Sequence, residues 1–458
     1  MMRKYPMALS ALALACVLPA QAQVTAEEAK QLGGAVLTEF GAERGANKEG
    51  TIPAYTGAGI KPHPEWDAKN PGRRPDPFHD KPLFTITAKN ADQYADKLTE
   101  FQKEMFKRYP EYRMDVYPTH RSMVFPKYVL DNTLKNATSC KAVDDELRVE
   151  GCYGGIPFPL PKTGRQVMWN HLTFYGTPSV EENQRTWHVP SNGNAFLASA
   201  SKGVEAFPWY DPARTTPNEG KDIIWAVRLD DYAPARAAGQ KLVIIDAVDQ
   251  INIGRRAYQY LPGQRRVKLS PDLAYDTPSP VAGGVGTVDD AKLFLGKLDR
   301  FDFKLVGKQE KFLAYNTYGL TDHKVCDEQK LTSTKNFPNP DCVRWELHRV
   351  WVVDSTLKPE FRHIYKRRTF YFDEDGFGAG FQESYDASGK LYRGAWNAFY
   401  TYWEKDGGNS GSVVNLDLVT GAYVMQGTAS APGAGFWPIE PKPSVFFSPD
   451  ALAGEGIR

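Results

Sequence analysis

From residue 166 onward, apolar and polar positions alternate with a period of two. The runs are short and rich in Val, Ile, Tyr, Phe and Trp, the pattern of strands with one buried face. The alternation predicts strands over 166–175, 186–189, 195–199, 222–229, 241–247, 256–261 and 265–269. A second series is predicted over 301–306, 343–353, 361–372, 380–385, 390–394, 412–416 and 422–426. Pro262-Gly263-Gln264 joins two of these runs as a hairpin turn, and Asp375-Gly376, Ala387-Ser388-Gly389 and Thr420-Gly421 supply further turns. Val343, Trp345 and Leu347 alternate with Arg344, Glu346 and His348, predicting a half-buried strand. A helical period appears over 91–109, where Tyr94, Leu98, Phe101, Met105 and Tyr109 recur at three- and four-residue steps. Asn90 stands as its N-cap and Pro110 as its stop. Short helices are predicted over 25–33 and 288–297. No fixed-period repeat is present, which argues against a propeller or solenoid.

The stretch before these elements behaves differently. Seven prolines fall between Thr51 and Phe84, together with several glycines, so no regular helix or central strand fits there. Tyr55, Trp66, Phe78 and Phe84 would be superfluous in a free linker. This segment is expected to lie as an arm across the main body. The fold class that follows is mainly β (α+β): a large curved antiparallel sheet or half-open β-barrel, with helices on its concave side and a Pro-rich N-terminal arm. The division expected is a signal peptide over 1–22, the arm over 23–86 and a single β-rich domain over 87–458.

Composition narrows the class. The chain has 458 residues, 24% of them charged, and a formal net charge of +1, which argues against a protein built to hold nucleic acid. A mean hydropathy of −0.48 leaves no room for several membrane spans. The one apolar stretch follows Arg3 and Lys4 and ends in Ala20-Gln21-Ala22, a small-x-small cleavage pattern, so it reads as a secretory signal cut before Gln23. The residues around Cys16 suit a lipid-modification site poorly. Export places Cys140, Cys152, Cys326 and Cys342 in an oxidising compartment, where an even count favours disulfides. Of the three connectivities, the sequence-local one, Cys140–Cys152 with Cys326–Cys342, is preferred. The spacings do not suit a zinc site.

Four constellations carry residue types that could do chemistry. Gly408-Asn409-Ser410-Gly411-Ser412 resembles the nucleophile segment of some secreted serine proteases. No histidine has the matching context, and a loop before a strand is the preferred reading. Asp373-Glu374-Asp375-Gly376 has the residue types of a calcium loop without its twelve-residue pattern, so a solvated hairpin turn is expected. Among eight scattered histidines, His120, His171, His348 and His363 sit amid aromatics and arginines, and Glu346 shares a strand face with His348. Structural roles are expected for them, and neither a catalytic residue, a metal site nor a cofactor is predicted. Finally, Trp169, Phe174, Tyr175, Trp187, Trp225, Tyr258, Tyr260, Trp345 and Trp351 all fall on predicted strands. A curved sheet carrying them is either filled or encloses an apolar cavity.

Several segments, in order along the chain, resemble one family. They are the run from Phe40-Gly41-Ala42-Glu43-Arg44-Gly45 to Tyr55-Thr56-Gly57, Tyr117-Pro118-Thr119-His120-Arg121-Ser122, Gly154-Gly155-Ile156-Pro157-Phe158-Pro159 with Trp169-Asn170-His171, Asp299-Arg300-Phe301, Trp345-Glu346-Leu347-His348-Arg349-Val350-Trp351, and the closing Gly456-Ile457-Arg458. The resemblance is to domain-of-unknown-function family 1329, exported proteins of Gram-negative bacteria related to outer-membrane lipoprotein-sorting proteins of the LolA/LolB superfamily. Tyr55 departs from it, standing where the family usually has Trp, as does 37–40, where a Pro-containing segment is common. The resemblance implies a half-open barrel that binds acyl chains. It also implies a periplasmic setting, with association at the outer membrane, an outer-membrane partner protein and a permease of the resistance-nodulation-division (RND) type.

The function expected is therefore a non-enzymatic periplasmic carrier or chaperone for lipid or other hydrophobic cargo, binding through Trp169, Trp187, Trp225, Trp345 and Trp351. The alternatives are a non-catalytic accessory subunit of an RND-type transporter and, less favoured, a serine hydrolase using Ser410.

Overall fold

The computed structural model describes residues 24–279 and 282–455. The expected signal segment, Cys16 and the closing Gly456-Ile457-Arg458 lie outside the described residues. Sixteen strands form one sheet. In chain order they are β1 (Phe84–Thr87), β2 (Arg113–Val116), β3 (Ser179–Val189), β4 (Phe196–Ala206), β5 (Ile223–Ala233), β6 (Lys241–Ala247), β7 (Arg255–Leu261), β8 (Arg266–Leu269), β9 (Phe301–Ala314), β10 (Trp345–Leu357), β11 (Arg367–Asp373), β12 (Gly380–Tyr385), β13 (Leu391–Asn397), β14 (Val413–Asp417), β15 (Tyr423–Thr428) and β16 (Gly435–Pro438). Across the sheet they run β1-β2-β10-β11-β12-β13-β14-β15-β3-β4-β5-β6-β7-β8, with β9 paired to β10 and β16 to β3. The sheet does not close on itself. Among the described residues, all pairings are antiparallel except the single parallel bridge of β2 to β10 at Val116 and Trp345. The large open β architecture expected from the alternation is present.

Helices are few: α1 (Ala26–Ala29), α2 (Glu100–Arg108), α3 (Lys127–Ser139), α4 (Gly164–Leu172), α5 (Glu328–Leu331) and α6 (Pro449–Glu455). They cover both faces of the sheet. Phe101 of α2 lies on Gly394 and beside Phe381, on the face that carries Tyr371. His171 of α4 stacks on Phe372, which points the other way.

Three readings of local structure are corrected. The segment 166–175 was expected as a strand, yet Trp169 sits in α4. Thr163 caps that helix by accepting the Gln166 N–H. All nine residues of α4 are buried, so it has no polar face to produce a helical period. Several of its polar groups are satisfied internally, for example Asn170 with both backbone groups of Phe158. Gly164 is required by proximity, since a Cβ there would lie 2.5 Å from the Phe303 carbonyl. The helix expected over 91–109 is split into a 3₁₀ turn, Ala91–Tyr94, and α2. Thr99 and Gln102 form a capping box that restarts the helix. Asn90 accepts the Thr87 N–H instead of capping. Over 288–297 only the 3₁₀ turn Val288–Asp290 forms, because Lys292 and Leu293 adopt left-handed backbone with φ of 52° and 74°.

The disulfides are Cys140–Cys152 and Cys326–Cys342. The proline-rich segment is fastened by a few deep anchors. Phe40 packs on Tyr55 and Phe125, and Arg74 is fully buried, donating to the Phe436 carbonyl and pairing with Glu404. Arg73 pairs with Asp322 at 2.7 Å.

The burial of His171 sets a pH dependence. Burial pushes its imidazole down to about 4, opposed by a hydrogen bond to the Phe377 carbonyl at 2.8 Å. A depressed folded-state pKa stabilises the fold above the ordinary histidine value, and that stability is lost as pH falls from about 6.5 toward 4. The expected loss is roughly 3 kcal/mol, read from urea midpoints across that window. His171→Gln should flatten the acid limb relative to wild type; parallel pH curves would refute the assignment.

Candidate functional site

The inner faces of β3 to β7 surround a cavity of about 400 Å³. That lies within the ~300–1,000 Å³ span of small-molecule sites. Because side chains alternate along a strand, β3 contributes Glu182, Gln184 and Thr186, while β5 contributes Trp225, Val227 and Leu229. Leu242 and Ile244 of β6 extend the apolar wall. The segment 287–295 closes the opposite side with Val288, Ala291, Lys292 and Leu295.

Three ionisable side chains meet in this cavity. Lys292 donates to Glu205 at 2.5 Å, and the Trp225 indole N–H donates to the same carboxylate oxygen at 3.3 Å. The ammonium also lies 5.2 Å from the Trp225 ring centre and 5.1 Å from that of Phe207. Glu182 is 2% exposed and its Oε1 has no hydrogen-bond partner. Burial, reinforced by the charge on Glu205 and only partly offset by Lys292, holds the Glu182 carboxyl well above the ordinary carboxylate range.

The closing segment is tied down by buried charge. Arg368 donates to Asp289 at 2.9 Å and to Asp290 at 2.8 Å. Tyr365 and Gln382 also donate to Asp290. His363 Nδ1 accepts the Tyr365 N–H, so its proton sits on Nε2, facing Asp289 at 3.1 Å. Burial works against the charge on Asp289, yet Arg368 and His363 hold its carboxyl well below the usual range.

The tryptophans named from the sequence are dispersed. Trp225 lines the cavity. Trp169 is buried in α4 and donates to the Glu146 carbonyl at 2.8 Å. Trp187 falls on the opposite face of β3 from Glu182, Gln184 and Thr186, donating to Glu328 of α5. Trp345 packs edge-on against Trp396 beside a second, small pocket under α2. Trp351 lies under Lys308.

The histidine and acidic clusters pair within the protein. His348 bonds Glu346 at 3.1 Å, as their shared strand face suggested. The exposed polar face expected for that strand is corrected: Arg344, Glu346 and His348 are all buried. Asp80 and His120 cover them, with Asp80 on Arg344 at 2.6 Å and His120 at 2.7 Å. The solvated turn expected over Asp373-Glu374-Asp375 is also corrected. Arg121 holds Asp375, while Arg349 and Lys308 hold Glu374, beneath the chain at Glu43 and Gly45. Among the described residues no group of three or more His, Cys, Asp or Glu side chains is placed to hold a metal. Ser410 is buried, and His120, His171, His348 and His363 bond elsewhere.

Glu182, Glu205 and Lys292 were missed from the sequence, although Glu181-Glu182 carried a signal. Two adjacent glutamates on one strand must point to opposite faces, so one of them faces inward.

Comparison with known proteins places this geometry in context. The "Uncharacterized protein PA3922" of Pseudomonas aeruginosa is 37% identical over 442 residues, covering 95% of each chain. Among solved structures, a putative outer membrane lipoprotein-sorting protein domain from Vibrio parahaemolyticus aligns at 12% identity over 64% of this chain and 98% of its own, with a TM-score of 0.43. A DUF1329 family protein from Desulfovibrio piger aligns at 11% identity over 63% and 97%, also at 0.43. The LolA superfamily protein NE2245 from Nitrosomonas europaea aligns at 10% identity over 64% and 100%, at 0.34. The profile of the family described as "Protein of unknown function (DUF1329)" matches residues 85–453, and with the close relative in Pseudomonas it establishes that the chain belongs to that family.

Proposed function

We propose that the protein is an exported, non-enzymatic carrier that holds a lipid or other hydrophobic molecule in the cavity between β3–β7 and the 287–295 segment. The observation that carries this reading is the cavity itself, about 400 Å³ with an apolar patch of Val227, Leu229, Leu242 and Ile244 and a closing segment tethered by Arg368. Burying an acyl chain there contributes about 0.8 kcal/mol per CH₂, enough to retain a long chain without a covalent bond. Two disulfides and the signal-like first 22 residues support a periplasmic setting. No helix among the described residues is long and apolar enough to cross a membrane. On this reading an outer-membrane partner and an RND-type permease exchange cargo with the carrier, as the sequence resemblance implies.

The test is mass spectrometry of an organic extract of the protein purified from periplasm without detergent. A stoichiometric lipid or hydrophobic metabolite, absent from a control periplasmic protein, is expected. A clean extract would count against a stable carrier and favour an accessory subunit of the transporter. A fluorophosphonate probe is expected to leave Ser410 unlabelled; labelling that is lost in Ser410→Ala would reverse the non-enzymatic assignment.

A further inference from the structure

Glu182 occupies an unusual position. It pairs across the strands with Gly203, which in turn pairs with Leu229. A Cβ at position 203 would lie 2.7 Å from Glu182 Oε1. The missing side chain of Gly203 is what lets the carboxyl lie flat against β4, inside the cavity. The nearby donors are already engaged: Lys292 and the Trp225 indole both serve Glu205. Glu182 is left beside Leu229 and Val227 with an unpartnered oxygen.

A buried carboxyl whose Oε1 receives no donor favours the acid form, whose O–H is then a donor in want of an acceptor. Buried polar groups in folded proteins are rarely left in that state, and a bound molecule is one way to satisfy them. The charge already present decides what kind of molecule fits. Glu205 and Lys292 balance each other, so a second anion brought beside Glu205 would be repelled. A neutral oxygen acceptor meets no such penalty.

We infer that Glu182 is the polar recognition point of the cavity, its O–H donating to a neutral carbonyl or hydroxyl oxygen of an amphipathic cargo whose hydrocarbon lies along Val227, Leu229, Leu242 and Ile244. The cargo class so selected is acyl esters and long-chain alcohols, ahead of alkylammonium ions and plain alkanes. This inference rests on the carrier reading.

The test uses delipidated full-length mature protein loaded with the neutral fluorophore N-phenyl-1-naphthylamine. Displacement by methyl decanoate, decylamine and decane is measured for wild type, Glu182→Gln and Glu182→Leu. Wild type is expected to prefer methyl decanoate over decane by about tenfold, the effect of one buried hydrogen bond. Glu182→Gln retains an N–H donor and should keep most of that preference. Glu182→Leu should lose it, with decane bound at least as well as before. An ester preference unchanged in Glu182→Leu would overturn the assignment. Tightest binding of decylamine, lost in Glu182→Gln, would overturn it in favour of an ionised carboxylate that holds a cation. Failure of wild type to bind the fluorophore or any of the three molecules would instead overturn the carrier reading itself, and this inference with it.

Discussion

Replacing Arg368 by methionine is expected to destabilise the protein by about 3–5 kcal/mol. Arg368 is fully buried and donates to both Asp289 and Asp290. Its guanidinium is also packed among Tyr365, Phe294 and Phe370, with ring centres 5.1–5.2 Å away. Removing it leaves two buried carboxylates without their guanidinium, with His363 still on Asp289 and the Tyr365 and Gln382 donors still on Asp290, and that uncompensated charge is the larger part of the cost. The loss is large against a total stability of about 5–15 kcal/mol. The origin of the cost can be tested directly. A triple variant, Arg368→Met with Asp289→Asn and Asp290→Asn, removes the orphaned charge and should recover much of the loss. The measurement is urea denaturation of the three proteins. If the single variant unfolds at the wild-type midpoint, the carboxylates are not held as described. Because Asp289 and Asp290 anchor the segment that carries Ala291 and Lys292, the single variant should also release bound fluorophore faster than wild type under conditions where it remains folded.

The same network shows how far the sequence could be read. Alternation located most strands of the sheet because most have one face against the core and a regular partner; 241–247 and 380–385 coincide with β6 and β12 to the residue, whereas the four-residue strands β1, β2 and β16 went unpredicted. Alternation failed where burial is complete. In α4 all nine residues are inside, and at the start of β10 the polar positions Glu346 and His348, with Arg344 just before the strand, are as buried as Val350 and Val352. Their polar character reports internal pairing, Arg344 with Asp80 and Glu346 with the His120 backbone N–H, more than 220 positions away along the chain. Single-sequence patterning carries no information about such pairing. The site follows the same logic. Trp225 was legible as a large aromatic on a strand, but strand membership does not say which face is hollow, and Trp187 and Trp225 fall on different faces of one sheet. Lys292 lies in a loop whose course depends on the left-handed backbone at Lys292 and Leu293, held there by Glu205 and by the aspartates before them.

Filling the cavity separates a hollow carrier from a structural sheet. Ala291 is half-buried on the closing segment and faces the cavity, and Ser201 lines it from β4. Placing a large ring in a packed interior forces off-rotamer side chains and costs about 1–3 kcal/mol. Placing it in empty space does not, because the new atoms meet partners where the lining had none. Ala291→Trp and Ser201→Phe are therefore expected to change stability by less than about 1 kcal/mol each. Each should nevertheless lower the cargo recovered per protein by at least about tenfold, which corresponds to about 1.4 kcal/mol of binding. The two readouts are independent. Unchanged cargo in a stable Ala291→Trp variant would place the binding site elsewhere in the molecule. A destabilised variant would mean that the space is closed by motion of the 287–295 segment. Cargo loss without destabilisation is the combination that only a hollow, cargo-holding cavity produces.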